Sequence, residues 1–368
     1  MSRRGGPFGR ARFLRFDKPD SHFLGASVRI ARVAAARISL LLTPVVLQSC
    51  HIRECCAPRD SLSLFAGIRV DSATFRSRGE FAIQLVPTDA TGRTLVEEPW
   101  TVTGALESPV AGALPLSALA VLPADTMPVT ISIDIDDSHS MTSNDPNRVR
   151  ATGAQHFWQA VLGARPRNQV ALLDFGGTLQ SPGFVKTRLV QAHTTDPAEL
   201  DAQLAMIQAQ PGSGTPLYRS ALEVIHWTDT AVALQSQRYL VIITDGYPYP
   251  PDSLPYQDSV VAAAANSGVR IFAVGVGPAS DQGTQSVDSA VAVVRNLATR
   301  TGGIYAGVTN ATQLGSALRA LASEPSGERL LATFALASAP VRGAVVTGTV
   351  TIEGPLGRAT AEWSFVAP

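Results

Sequence analysis

The sequence predicts an α/β fold, a doubly wound and mostly parallel sheet, joined to a smaller all-β, sandwich-like domain. Three observations carry the prediction. From Val129 to Ala322, strand-like apolar runs alternate with helical spacing, as in a parallel sheet covered on both faces. On either side, residues 60–127 and 330–366 alternate apolar and polar residues with period two. Between these patterns, Val129–Ile135 reads as one buried, β-branched strand. It breaks into Asp136, Asp137, Ser138, His139 and Ser140. Clustered oxygens are thereby placed at the carboxyl edge of the sheet, where open α/β folds bind ligands.

Residues 1–56 read as a targeting segment and tether. The chain is Arg-rich up to Arg37, and an apolar run of about ten residues, Ile38–Leu47, follows. A bilayer span needs roughly 20 residues, so the run fits the apolar region of a signal peptide instead. It ends Leu47-Gln48-Ser49-Cys50, which resembles a bacterial lipobox with Cys50 as the lipidated residue. The expectation is an extracytoplasmic lipoprotein of the bacterial cell envelope, held to the membrane by its anchor. A plain cleaved signal peptide is the alternative. All three cysteines, Cys50, Cys55 and Cys56, fall in this stretch, so the body has no disulfide framework and no Cys-based zinc site.

The first β segment carries Phe81, Ile83 and Leu85 on one face of a strand, a turn at Asp89–Gly92, then Leu95-Val96 and Trp100-Thr101-Val102. The second alternates at Val346, Val350 and Ile352, turns at Gly354-Pro355, and alternates again at Trp363 and Phe365. Neither piece alone buries a good core. Together, 60–127 and 330–366 have the size of one sandwich into which 128–323 is inserted. Two unrelated β extensions are the alternative.

Within 128–323, Asp145 and Pro146 are expected at the N-cap and first position of a helix bearing Ala154, Phe157, Trp158, Val161 and Leu162. Gln169–Phe175 is a strand and Leu189–Ala192 a short edge strand. Asp196-Pro197 opens a helix to about Gln208. Gly212–Pro216 is a loop entering a helix with Tyr218, Leu222 and Ile225 inward. Arg238–Thr244 is a central strand, followed by a helix at 258–266, a strand at 269–276, a helix at 287–301, a strand at 303–308 and a helix at 310–322.

Asp136-x-Ser138-x-Ser140, Gly212-Ser213-Gly214-Thr215-Pro216-Leu217 and Val241-Ile242-Ile243-Thr244-Asp245-Gly246 resemble, in order and spacing, the three signatures of von Willebrand factor type A (VWA) domains. The resemblance implies a metal-ion-dependent adhesion site (MIDAS). In it Ser138, Ser140 and Thr215 touch the metal, Asp136 and Asp245 act directly or through water, and the open position takes an Asp or Glu of a protein partner. The donor types agree. Five hard oxygens without His or Cys suit Mg²⁺, or Ca²⁺ or Mn²⁺, over zinc or copper. Two carboxylates neutralise a divalent ion, so one more anion can be accepted. The alternative is that these side chains only cap loops. Asp137 is expected to point to solvent. His139, Tyr247 and Tyr249 are expected at a partner-contacting rim.

Other functions lack their signals. Thirty basic residues balance thirty acidic ones, which gives no footprint for nucleic acid. There is no G-x-S-x-G elbow and no P-loop, and Gly275-x-Gly277 lacks the third glycine of a dinucleotide site. A non-enzymatic, metal-dependent binding module is therefore expected, with a metal-free scaffold as the alternative.

Overall fold

In the computed structural model, residues 62–368 are described, except 210–213, 233–235, 247, 249–255, 283, 285, 310 and 324–326. The chain starts with β1 (Ser63–Arg69) and a short helix α1 (Ser72–Arg78). Asp71 caps α1 by accepting from Thr74 N at 2.8 Å, and Gly79 ends it at φ +67°. Then come β2 (Glu80–Thr88), β3 (Thr101–Ser108), β4 (Gly112–Leu114) and β5 (Leu116–Leu122).

The central domain follows: β6 (Val129–Asp136), α2 (Met141–Asn144), α3 (Val149–Ala164), β7 (Gln169–Phe175), β8 (Thr187–Thr194) and α4 (Pro197–Gln203). It continues with α5 (Leu217–Ala231), β9 (Gln237–Thr244), α6 (Tyr256–Ser267), β10 (Val269–Val276), α7 (Asp288–Thr299), β11 (Tyr305–Val308) and α8 (Ala311–Ser323). Finally β12 (Arg329–Ala335), β13 (Val345–Gly354) and β14 (Gly357–Val366) return to the β region.

The central sheet has the order β11-β10-β9-β6-β7-β8. All its pairings are parallel except β7–β8, so the edge strand β8 runs against the rest. On one face Ile131, Ile133 and Ile135 pack with Phe157 and Trp158 of α3 and Leu318 of α8. On the other, Leu240 and Ile242 pack with Tyr218 and Val224 of α5 and Val260 of α6. Helices thus cover both faces, and β6 and β9 lie at the centre.

Two sheets form the β region, ordered β1-β2-β12-β5 and β14-β13-β3-β4. Each mixes strands from before and after the central domain. Ile83 of β2 pairs with Ala332 of β12, and Val350 of β13 with Gly104 of β3. Their inner faces share one core, in which Phe81 meets Trp363 at 5.2 Å and Phe75 meets Phe365 edge-on at 5.4 Å.

Three local expectations are corrected. Helix α3 starts at Val149, not at Pro146, because Arg148 adopts a left-handed φ of +56°. Asp145 still caps it from a distance, accepting from Val149 N at 2.7 Å and Arg150 N at 3.0 Å. The helix opened by Asp196 ends at Gln203, and Leu204–Met206 form a 3₁₀ turn. Strand β6 is buried but not wholly apolar: Thr130, Ser132 and Asp134 alternate with the isoleucines and face α5.

Candidate metal centre

Parallel pairing brings β6 and β9 to the same edge, since Ile135 is opposite Ile243. Asp136 closes β6, Thr244 closes β9, and Asp245 is the next residue. Thr244 Oγ1 donates to Asp136 Oδ2 at 2.5 Å, and Ser138 N donates to Asp136 Oδ1 at 2.9 Å. The backbone on either side of the site is packed too closely for a side chain at two glycines, Gly176 against the Ser138 loop and Gly246 against Ala279. A Cβ on Gly176 would lie 2.7 Å from Ser138 N, and one on Gly246 2.6 Å from the Ala279 Cβ. Both glycines have φ +88°, which only glycine adopts readily.

The Ser138 and Ser140 hydroxyls are 3.1 Å apart. Ser138 is buried and Ser140 half-buried. One helical turn after Ser140, Asn144 Nδ2 donates to Asp245 Oδ2 at 2.9 Å. The other oxygen, Asp245 Oδ1, is buried without a partner. Burial first, and then the negative charge of Asp245, push the Asp136 carboxyl up to about 7, against the hydrogen bonds from Ser138 and Thr244.

Two buried carboxylates of like charge, one with an orphaned oxygen, face paired hydroxyls. A hard divalent cation suits this donor set, because it would partner the orphan and relieve the repulsion. Among the described residues no group of three or more His, Cys, Asp or Glu side chains is placed to hold a metal. A cation here would therefore depend on the hydroxyl donors.

Thr215 is buried just ahead of α5. The polar face of β6 orients that helix: Asp134 Oδ2 accepts from Ser220 Oγ at 2.7 Å, and Ser132 Oγ lies 2.7 Å from Thr228 Oγ1. Moving up the strand from Ser132 to Asp134 moves back along the helix from Thr228 to Ser220. The helix is thus antiparallel to β6, and its N-terminal end, with Thr215, lies toward the edge that carries Asp136.

Asp137 does not point to solvent. It is 1% exposed and pairs with Arg150 at 2.9 Å, while its other oxygen accepts from Gln208 N at 2.7 Å. Arg150, itself fully buried, also pairs with Asp145 at 2.8 Å. With alternating strand geometry, the residue after Asp136 turns to the α3 side, where this guanidinium waits. His139 is exposed on the loop. Tyr247, Tyr249 and Cys50 lie outside the described residues.

Sequence reasoning missed Asn144, Thr244 and Arg150. Thr244 and Asn144 had readable signals, the first as the last residue of a buried strand, the second as a polar residue one helical turn past Ser140. Arg150 had none, being a surface-type residue in a helix.

Residues 132–247 match the von Willebrand factor type A domain model. The match contains all five candidate ligands. No curated protein matches the chain. Among solved structures, the conserved hypothetical protein BatB from Bacteroides thetaiotaomicron is similar at 20% identity and a TM-score of 0.40, covering 54% of this chain and 98% of its own. The pilus adhesin SpaC from Lactobacillus rhamnosus GG, in its open conformation, is similar at 10% identity and a TM-score of 0.40, over 83% of this chain and 47% of its own. A von Willebrand factor type A structure from Catenulispora acidiphila gives 11% and 0.39, over 83% and 75%.

Proposed function

We propose that this protein is a non-enzymatic binding module of the bacterial cell envelope. Its central domain would hold a divalent cation, Mg²⁺ or else Ca²⁺ or Mn²⁺, and bind an Asp or Glu carboxylate of a protein partner. The observation that carries the reading is the buried, unpartnered Asp245 Oδ1 beside the Asp136 carboxyl. When bound, the cation supplies a positive centre that the two carboxylates neutralise and a third can still approach. Asp136 and Asp245 would anchor it, directly or through water, and Ser138, Ser140 and Thr215 would complete the donor set. Thr244 and Asn144 each hold one carboxylate oxygen, so the remaining oxygens keep a fixed direction. His139, Tyr247 and Tyr249 would form the rim that the partner touches. Cys50 would carry the lipid that keeps the module at the membrane.

Calorimetric titration of the chelator-treated full chain with Mg²⁺ tests this reading. Wild type should give a binding isotherm, Asp245→Ala should abolish it, and Thr215→Ala should weaken it roughly tenfold, about 1.4 kcal/mol. The Thr215 change should leave the unfolding midpoint nearly unmoved, because that residue lies outside the regular elements. No heat from wild type would favour a metal-free scaffold and overturn the proposal.

A further inference from the structure

The sandwich and the central domain meet at two sheet edges that begin to pair and then separate. Gly67 of β1 and Ile304, just before β11, form a single antiparallel bridge. Both β1 and β11 are edge strands of their sheets. If the ladder continued, each step down β1 would match one step up β11, setting Ser63–Ala66 against Tyr305–Val308. Those pairs are not among the ladders formed. Instead the same eight residues line the walls of a cavity of about 640 Å³. That volume lies within the roughly 300–1,000 Å³ of ligand pockets.

Three features describe the occupant. Edge strands carry a row of outward main-chain N–H and C=O groups, which an added strand can pair with. Two such edges in antiparallel register flank one space, so an extended backbone between them is paired on both sides. The described acidic side chains of the lining are Asp89, Asp281 and Glu362, and the basic one is Arg295. Arg295 bridges Asp281 and Glu362, and Asp281 lies directly on the β11 backbone: a Cβ on Gly307 would fall 2.0 Å from its Oδ1. Asp89 is paired with Arg93, and Arg295 offsets one of the other two carboxylates, so a single negative charge is left over, which suits one basic side chain. Finally, Thr88 on the same wall is buried, and its Oγ1 has no hydrogen-bond partner.

We propose that this cleft binds an extended, basic peptide segment of a protein partner by strand addition between β1 and β11. Its lining shares no residue with the candidate metal centre, and the site needs no metal.

The test uses the full chain as bait for a phage-displayed random heptapeptide library, with EDTA present throughout. The enriched peptides are synthesised with a fluorescein label and measured by anisotropy against wild type, Glu362→Lys and Thr360→Trp. Both positions are exposed on the cleft wall, and an unchanged far-UV circular dichroism spectrum and unfolding midpoint are required of each variant before binding is compared. Enriched peptides should carry Lys or Arg among small or β-branched residues. Each variant should weaken them roughly tenfold or more, as should N-methylation of alternate amides. Failure to enrich any peptide, or equal binding to both variants, overturns the proposal. A concentration-dependent dimer that both substitutions dissolve also overturns it, in favour of a second copy of this chain. Because EDTA is present, none of these outcomes depends on the cation site.

Discussion

Arg150 is the residue on which the loop beside the candidate site rests. It sits at zero exposure between Asp137 and Asp145, and its backbone N–H is itself capped by Asp145. Through Asp137 it also reaches Gln208, seven residues ahead of Thr215. Burying such a group is worthwhile only while its partners stay paired. Arg150→Met should therefore cost about 3–5 kcal/mol in urea unfolding, because it strands two carboxylates inside the protein. A loss under about 1 kcal/mol would mean that water reaches Asp137 and Asp145. At this scale the sequence was legible where chemistry is local. Asp136, Ser138 and Ser140 alternate within five residues, and Asp245 directly follows a buried strand, so their place at one sheet edge could be read from their neighbours, while the ligand role came from the family resemblance. Asp137 was misread because its partner is thirteen positions away on another element. Its identity as an inward residue appears only once α3 packs on β6.

Elements were legible in type more than in extent. Apolar runs such as Val269–Val276 gave strands directly, since a strand buried on both faces tolerates little else. The polar alternation inside β6 was hidden by its β-branched character. Thr130, Ser132 and Asp134 are buried only because α5 returns hydroxyls to two of them. Strand β5 went unseen for a different reason. Its sequence, LSALAVL, is apolar but for Ser117 and does not alternate, yet it forms the outer edge of its sheet and leaves Leu119 39% and Val121 53% exposed. An uncharged, apolar edge lacks the guards that keep strands from pairing between molecules. Val121→Lys should lower light scattering on concentration, while changing stability by no more than about 0.5 kcal/mol. Scattering equal to wild type would show that this edge does not mediate association.

At the scale of the whole molecule, the chain closes on itself through strands separated by the entire central domain. β12 lies between β2 and β5, and β13 between β3 and β14, so the returning segment occupies an interior position in each sheet. The period-two patterns announced both β segments, but not their order, since register depends on partners far away in the chain. The joint between the domains was likewise unreadable. It includes the Gly67–Ile304 bridge, a 3.0 Å contact between the Thr299 and Ser364 hydroxyls, a hydrogen bond from Ser316 Oγ to Ala90 O, the packing of Val86 on the central core and the Arg295–Glu362 ion pair, none of which has a local signature. The two regions bury largely separate hydrophobic cores, joined where Val86 of β2 and Phe65 of β1 pack into that of the central domain, and that division has a consequence. Deleting residues 329–368 removes Trp363 and Phe365 from the sandwich core along with an interior strand from both sheets. The remaining β1–β5 cannot bury Phe81, Ile83 and Leu85, and a β segment of this size has too little core of its own. Limited trypsin digestion of the deletion variant should cut at Arg69, Arg76, Arg78 and Arg93, while β6 to α8 survive as a resistant fragment with the Mg²⁺ affinity of wild type. Protection of residues 62–122 in that variant would show that the first segment folds alone. Loss of the resistant fragment would show that the central domain depends on the sandwich wrapped beside it.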